Sequence, residues 1–264
     1  MGLVEGITEW LPVSSTGHMI LVDEFVKMNV SETFWNMFLV VIQLGAILAV
    51  CVLFFYDLNP FSPSKGKEGR RDTWVLWGKI VLGCIPAAAI GLPLNDWMEE
   101  HFYNAPVVAL ALIVYGVLFI VIENWNKNRV PTTTTLSQLT YRDVLIIGFC
   151  QLVAAALPGT SRSGATILGA IMIGISRTVA AEFTFFLAIP VMFGASLLKV
   201  LKFGFAFTGM ELACLLVGTV ISFIVSLFVL RFLMGYIKKH DFKVFGWYRI
   251  VLGIIVLLYF LVFA

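Results

Sequence analysis

The chain has 264 residues, 60% of them hydrophobic and 13% charged, with a net charge of +2. A soluble domain carries about 25% charged residues, so this balance excludes an ordinary water-soluble fold and points to a bilayer as solvent. So small a net charge, with no basic run interleaved with aromatics, also excludes a nucleic-acid partner.

In chain order, residues 1–22 do not read as a span. Two carboxylates, a run of hydroxyls and an imidazole crowd into "EGITEWLPVSSTGH" (5–18). Apolar runs of span length follow at 34–55, at 74–94 with interruptions, and at 106–122. A second polar-centred segment, 144–175, is followed by 183–201 (interrupted), 212–230 and 247–263. Cys51, Cys84, Cys150 and Cys214 stand singly in apolar segments without ligand or redox spacing, as small buried hydrophobes do. His101 and His240 read as loop residues. No basic n-region opens the chain, so no cleavable signal peptide is expected.

With six runs taken as full spans, one set of connections holds 11 lysines and arginines, including Lys65, Lys67, Arg70, Arg71, Lys127, Arg129, Arg142, Arg177, Lys238, Lys239 and Lys243. The other set holds Lys27, Lys199 and Lys202. The positive-inside rule places the richer set, with the linker 124–143, in the cytoplasm. For this count to hold, 1–22 and 144–175 must each enter and leave on one side. A broken backbone at membrane depth survives only where protein buries it or water lines it. Both segments therefore read as re-entrant hairpins, the first dipping from outside and the second from inside.

Laying 5–21 over 151–168 puts Leu11-Pro12 on Leu157-Pro158, Ser14 on Thr160 and Ser15 on Ser161. Each half is then a hairpin plus three spans, over 1–123 and 144–264 of a single membrane domain. An odd number of spans inverts the second copy and sets the hairpins face to face near the midplane. The expected fold class is an all-α polytopic membrane protein: six transmembrane spans plus two broken re-entrant helical hairpins arranged as an inverted repeat.

Glu5 and Glu9 share a helix face four residues apart, and intramembrane carboxylates mark sites. Paired carboxylates repel unless a cation lies between them, and Mg²⁺ takes one or two carboxylates with phosphate oxygens. His18, after Gly17 and three hydroxyl residues, could act as acid, base or nucleophile. "PGTSRSGAT" (158–166) is the complement: a broken helix, a helix start near Gly164 that attracts anions, donors from Ser161 and Ser163, and the Arg162 fork suited to phosphate. Ser14 and Thr16 join them as diphosphate ligands. A membrane chain with a cation-binding half facing a phosphate-binding half should act on a phosphorylated lipid.

These stretches resemble the signatures "EGxTEWLPVSSTGH" and "PGxSRSGATI" of the undecaprenyl-diphosphate phosphatases, the bacitracin-resistance family; 41–50 and 176–190 are also similar to that family. The resemblance implies hydrolysis of undecaprenyl diphosphate to undecaprenyl phosphate, recycling the lipid carrier of cell-wall synthesis and conferring bacitracin resistance. It implies a divalent metal (Mg²⁺ or Ca²⁺), a bacterial plasma-membrane location and a site opening to the outer face. It assigns function to Glu5, Glu9, Ser15, His18 and Arg162. The family ordinarily carries an apolar segment before the glycine matching Gly2. A chain starting at the motif sets Glu5 within two helical turns of a charged α-amino group.

Three attackers stay open: a Ser15 phosphoenzyme, a His18 phosphoenzyme, or water. The preferred arrangement is Ser15 with His18 as its partner. The alternative function is a transporter of a phosphorylated prenyl lipid, which needs the Arg162 side but not the Glu/Ser/His side. The oligomeric state is open, a homodimer among the options.

Overall fold

A computed structural model describes residues 1–263 except Lys27, Asn29, Tyr103 and Phe205. The side chains of Thr16, Ile20, Glu24, Phe25, Leu92, Asn95, Asp96, Glu99, Ala105 and Phe263 lie outside the described set. The expected role of Thr16 at the diphosphate and the charge contributed by Lys27 therefore fall outside the described residues.

Helices run in the order α1 (Gly2–Thr8), α2 (Ser15–Phe25), α3 (Glu32–Val41), α4 (Gln43–Leu53), α5 (Phe55–Leu58), α6 (Lys67–Pro86) and α7 (Leu92–Phe102). They continue with α8 (Ala105–Asn126), α9 (Tyr141–Ala156), α10 (Arg162–Met172), α11 (Arg177–Phe203), α12 (Gly209–Ile237) and α13 (Lys243–Phe263). Among the described residues there is no β-strand, only an isolated bridge between Thr133 and Ile175. Six stretches are long and apolar enough to cross a membrane: 32–53, 67–91, 106–126, 177–203, 209–237 and 243–262. The chain is an all-α, six-span membrane protein.

Local chemistry explains the irregularities. The first span is α3 and α4 joined through Ile42, and its start is capped by Ser31, whose Oγ accepts from Phe34 N at 3.2 Å. Pro86 ends α6, and the chain passes through a π-helical turn, Ala87–Gly91, into α7; proline removes a backbone donor and the wider turn absorbs the defect. His101 belongs to the last turn of α7, not to a loop, with Nδ1 2.8 Å from the Trp97 carbonyl. All four cysteines are free thiols and only partly buried.

Between helices in lipid, association rests on close packing rather than on expelling water. The antiparallel pair α8–α13 meets at Gly116 and Gly246, where a Cβ on the first would come 2.7 Å from the carbonyl of the second. Phe183, Phe185 and Phe186 of α11 are fully buried with Trp10 in the central cluster, so this aromatic run is core.

The four basic connections converge at one end of the molecule. Glu123, buried at the end of α8, accepts from Nε and Nη2 of Arg177 at the start of α11 and from Phe242 N, 3.0 Å away, just before α13. Backbone bonds tie 132–133 to Gly174 and Ser176. Lys79 Nζ donates to the carbonyl of Ser137 at 3.2 Å, attaching α6 to the same end.

Candidate active site

Each polar segment folds as a helix, a break and a second helix: α1–α2 and α9–α10. At each break a serine sits in the left-handed region, Ser14 with φ 72° and Ser161 with φ 69°; no other non-glycine described residue has positive φ. That conformation costs on the order of 1–3 kcal/mol and is held only where the surroundings fix it. Each serine caps the next helix. Ser14 Oγ accepts from Gly17 N at 3.3 Å, and Ser161 Oγ accepts from Gly164 N at 3.2 Å.

The structural match between the breaks therefore pairs Ser14 with Ser161, one residue beyond the Ser14–Thr160 register expected from sequence. Two residues, Gly159 and Thr160, separate Pro158 from Ser161 where Val13 alone separates Pro12 from Ser14; Gly159 has φ +87°, and a Cβ there would lie 2.4 Å from the Val108 carbonyl. Both breaks lie alongside the spans rather than at their ends. Gly17 packs on Leu112 of α8, and Gly164 packs on Arg249 of α13.

Arg162 opens α10 and joins the halves. Its Nη2 donates to Glu9 Oε1 at 2.8 Å and its Nη1 donates to the Thr184 carbonyl at 3.2 Å. The pair is nearly dry, the side chains 15% and 7% exposed. The other Glu9 oxygen accepts the Ser15 hydroxyl at 3.0 Å. Ser163, expected at the diphosphate, is buried, and its hydroxyl reaches the Glu9 carbonyl at 3.2 Å. It fixes one break against the other. Ser14 and Ser161, also expected at the diphosphate, use their side-chain oxygens as helix caps.

His18 does not partner Ser15. Its Nδ1 lies 2.7 Å from the Ser14 carbonyl and its Nε2 lies 2.6 Å from the Tyr248 hydroxyl. The group beside the Ser15 hydroxyl is Glu9.

The largest omission of the sequence reading is Arg249, fully buried in α13. Its Nη1 donates to Pro12 O at 3.2 Å, and its Nη2 donates to Gly159 O and Thr160 O, both at 2.9 Å. One guanidinium thus holds both broken segments. A signal was available: an arginine inside an apolar run is itself an intramembrane ionisable group.

Glu5 is buried, its carboxyl meets that of Glu9, and its Oε1 has no hydrogen-bond partner among the described residues. Two carboxylates beside one guanidinium, with an orphaned oxygen, are a donor set that fits a divalent cation. Among the described residues no group of three or more His, Cys, Asp or Glu could hold a metal. A pair of carboxylates matches the habit of Mg²⁺, which completes its shell from phosphate and water. The arrangement as a whole supplies an anion fork, a hydroxyl with a carboxylate acceptor, and a separately anchored imidazole.

A family model described as "Bacitracin resistance protein BacA" matches residues 1–255. A protein of Desulfitobacterium hafniense named undecaprenyl-diphosphatase is 63% identical over 98% of this chain and 94% of its own length. Proteins of the same name from Acetivibrio thermocellus (61%, covering 99% of this chain and 96% of the relative) and Enterococcus faecalis (57%, 99% and 95%) are similar. The chain belongs to the BacA bacitracin-resistance family.

Proposed function

We propose that this chain hydrolyses undecaprenyl diphosphate to undecaprenyl phosphate and inorganic phosphate, returning the lipid carrier to cell-wall synthesis and so countering bacitracin. The observation that carries the reading is Glu9, bonded at once to Arg162 at 2.8 Å and to the Ser15 hydroxyl at 3.0 Å. A transporter needs the guanidinium to bind a phosphate but has no use for a hydroxyl whose proton points at a carboxylate.

Arg162 binds and orients the terminal phosphoryl group, exchanging part of its bonding from Glu9 to the phosphate oxygens. Ser15 Oγ attacks that phosphorus while its proton passes to Glu9 Oε2. The bridging P–O bond breaks and undecaprenyl phosphate leaves, with a phosphoseryl group on Ser15. A divalent cation held by Glu5 and Glu9 would supply charge neutralisation for the diphosphate. The second half-reaction returns phosphate to water.

The surrounding fold is proposed to be an inverted repeat, with residues 1–123 and 144–264 as its halves and 124–143 as the linker. In support, a Cβ on Gly2 of α1 would meet Gly218 O of α12 at 2.4 Å, and one on Gly148 of α9 would meet Gly83 O of α6 at 2.5 Å. The first helix of each hairpin thus packs on the middle span of the other half. The hairpins are proposed to be re-entrant, with the basic end of the molecule in the bacterial cytoplasm and the site opening to the outer face of the plasma membrane.

The test is phosphate release from a prenyl diphosphate in detergent, with Mg²⁺ or with chelator. Metal-dependent release should fall by roughly 100-fold or more in both Glu9→Gln and Arg162→Ala. Release that persists in both variants would remove the site from the reaction.

A further inference from the structure

Tyr248 belongs to no motif singled out in the sequence; it lies in the second turn of α13. Its hydroxyl is 2.6 Å from His18 Nε2, across 230 residues of chain, and the two rings lie within 5° of parallel. The partner of Nδ1 decides what this contact means. A backbone carbonyl is an acceptor only, so the Nδ1 facing Ser14 O at 2.7 Å carries the ring proton. Nε2 of the neutral ring then presents its lone pair, and the Tyr248 O–H donates into it. The nitrogen that could serve as base or nucleophile is already occupied, and Tyr248, which occupies it, is 47% exposed.

We infer that Tyr248 is a positioning and relay residue for His18 in the hydrolysis proposed above, on which this inference rests. In the second half-reaction an attacking water gives a proton to Tyr248 Oη as the tyrosine proton moves to His18 Nε2. The water oxygen bonds to phosphorus, the Ser15 Oγ–P bond breaks, and the serine oxygen recovers the proton that Glu9 took from it. The imidazolium keeps its Nδ1–H on Ser14 O and afterwards returns the other proton through Tyr248 to the released phosphate. Glu9 serves the serine and the Tyr248–His18 pair serves the water. This arrangement gives the two proton transfers separate groups and accords with His18 bonding to Ser14 O and Tyr248 rather than to the Ser15 hydroxyl.

Tyr248→Phe keeps the ring and its stacking and removes only the hydroxyl. With a prenyl diphosphate as substrate, kcat should fall about 10- to 100-fold, part of a general acid–base contribution, with KM changed less than about 2-fold. A second readout is independent of turnover. Diethyl pyrocarbonate acylates an imidazole nitrogen that offers a lone pair, so His18 in Tyr248→Phe should react several-fold faster than in the unmodified chain. His101 and His240, mapped in the same digest, serve as controls.

Wild-type kcat in Tyr248→Phe overturns the inference. So does a loss carried by KM alone, or a loss of kcat without faster acylation of His18. A wild-type chain that releases no phosphate, while His18 acylation still rises in the variant, sinks the hydrolase and the relay together but leaves the hydrogen bond standing. The two failures are thereby told apart.

Discussion

Replacing Arg249 by lysine keeps the charge and removes the fork. The guanidinium makes three hydrogen bonds, one to Pro12 O and two to Gly159 O and Thr160 O, and it is fully buried. An ammonium on a shorter stem is a point donor and reaches one broken segment, not both. Two bonds are then lost, each with a charged donor and worth about 1.5–3 kcal/mol. Such values are not additive, and the lower end, about 3 kcal/mol, is the expected cost. For a chain of this size that corresponds to a fall of roughly 6–12 °C in Tm. The partly buried free thiols of Cys51, Cys84, Cys150 and Cys214 provide the probe, because a thiol-reactive fluorogenic dye reports their exposure as detergent-solubilised protein is heated. Phosphate release should fall with stability, since the same bonds align Ser15 with Arg162. A lysine variant melting within about 2 °C of wild type would show that the fork does not hold the breaks together.

Ser15→Ala removes the hydroxyl on Glu9 and should reduce kcat by roughly 100-fold or more while prenyl diphosphate still binds, read by turnover and by equilibrium binding. Glu5→Gln leaves the Glu9–Arg162 pair in place but takes away a carboxylate. The Mg²⁺ concentration for half-maximal phosphate release should rise by about 10-fold or more, the mark of a lost ligand rather than a lost fold. Gly116→Val puts side-chain atoms where a Cβ already lies 2.7 Å from Gly246 O, so the α8–α13 contact must open. Its Tm should fall by several degrees, whereas Gly78→Val, with nothing within 4 Å of its Cβ, should be close to neutral.

The parts legible in the sequence are those that lipid itself enforces. Span-length apolar runs must be helices, because no other open-ended element satisfies its backbone in hydrocarbon. The polar groups of 5–18 and 158–166 stand out against that background, and the opposite charges of Glu9 and Arg162 are legible there, although their contact at 2.8 Å is not. Partner identity was beyond reach. Whether His18 faces Ser15 or Tyr248 depends on how α13 lies against α2, a relation between residues 230 positions apart. Arg249 was absorbed into an apolar run because a window average dilutes one cation among leucines and valines. The one-residue slip between the breaks arises because the Leu-Pro pairs anchor the alignment, whereas the backbone is set by the capping serines, two residues after Pro12 but three after Pro158.

The position of α1 has a consequence for the order in which the protein is made. Gly2 and Gly6 pack on Gly218 and Ser222 of α12, and Glu9 meets Arg162, so the partners that complete this helix lie more than 150 positions downstream. While the ribosome is still extending the chain, α1 and its C-cap carry Glu5 and Glu9 with neither the guanidinium nor the helix face that later covers them. An unpaired carboxylate is expensive in hydrocarbon, so α1 has reason to wait at the membrane surface. This helix is then seated only after Arg162 and α12 have been made, and the site closes late in synthesis.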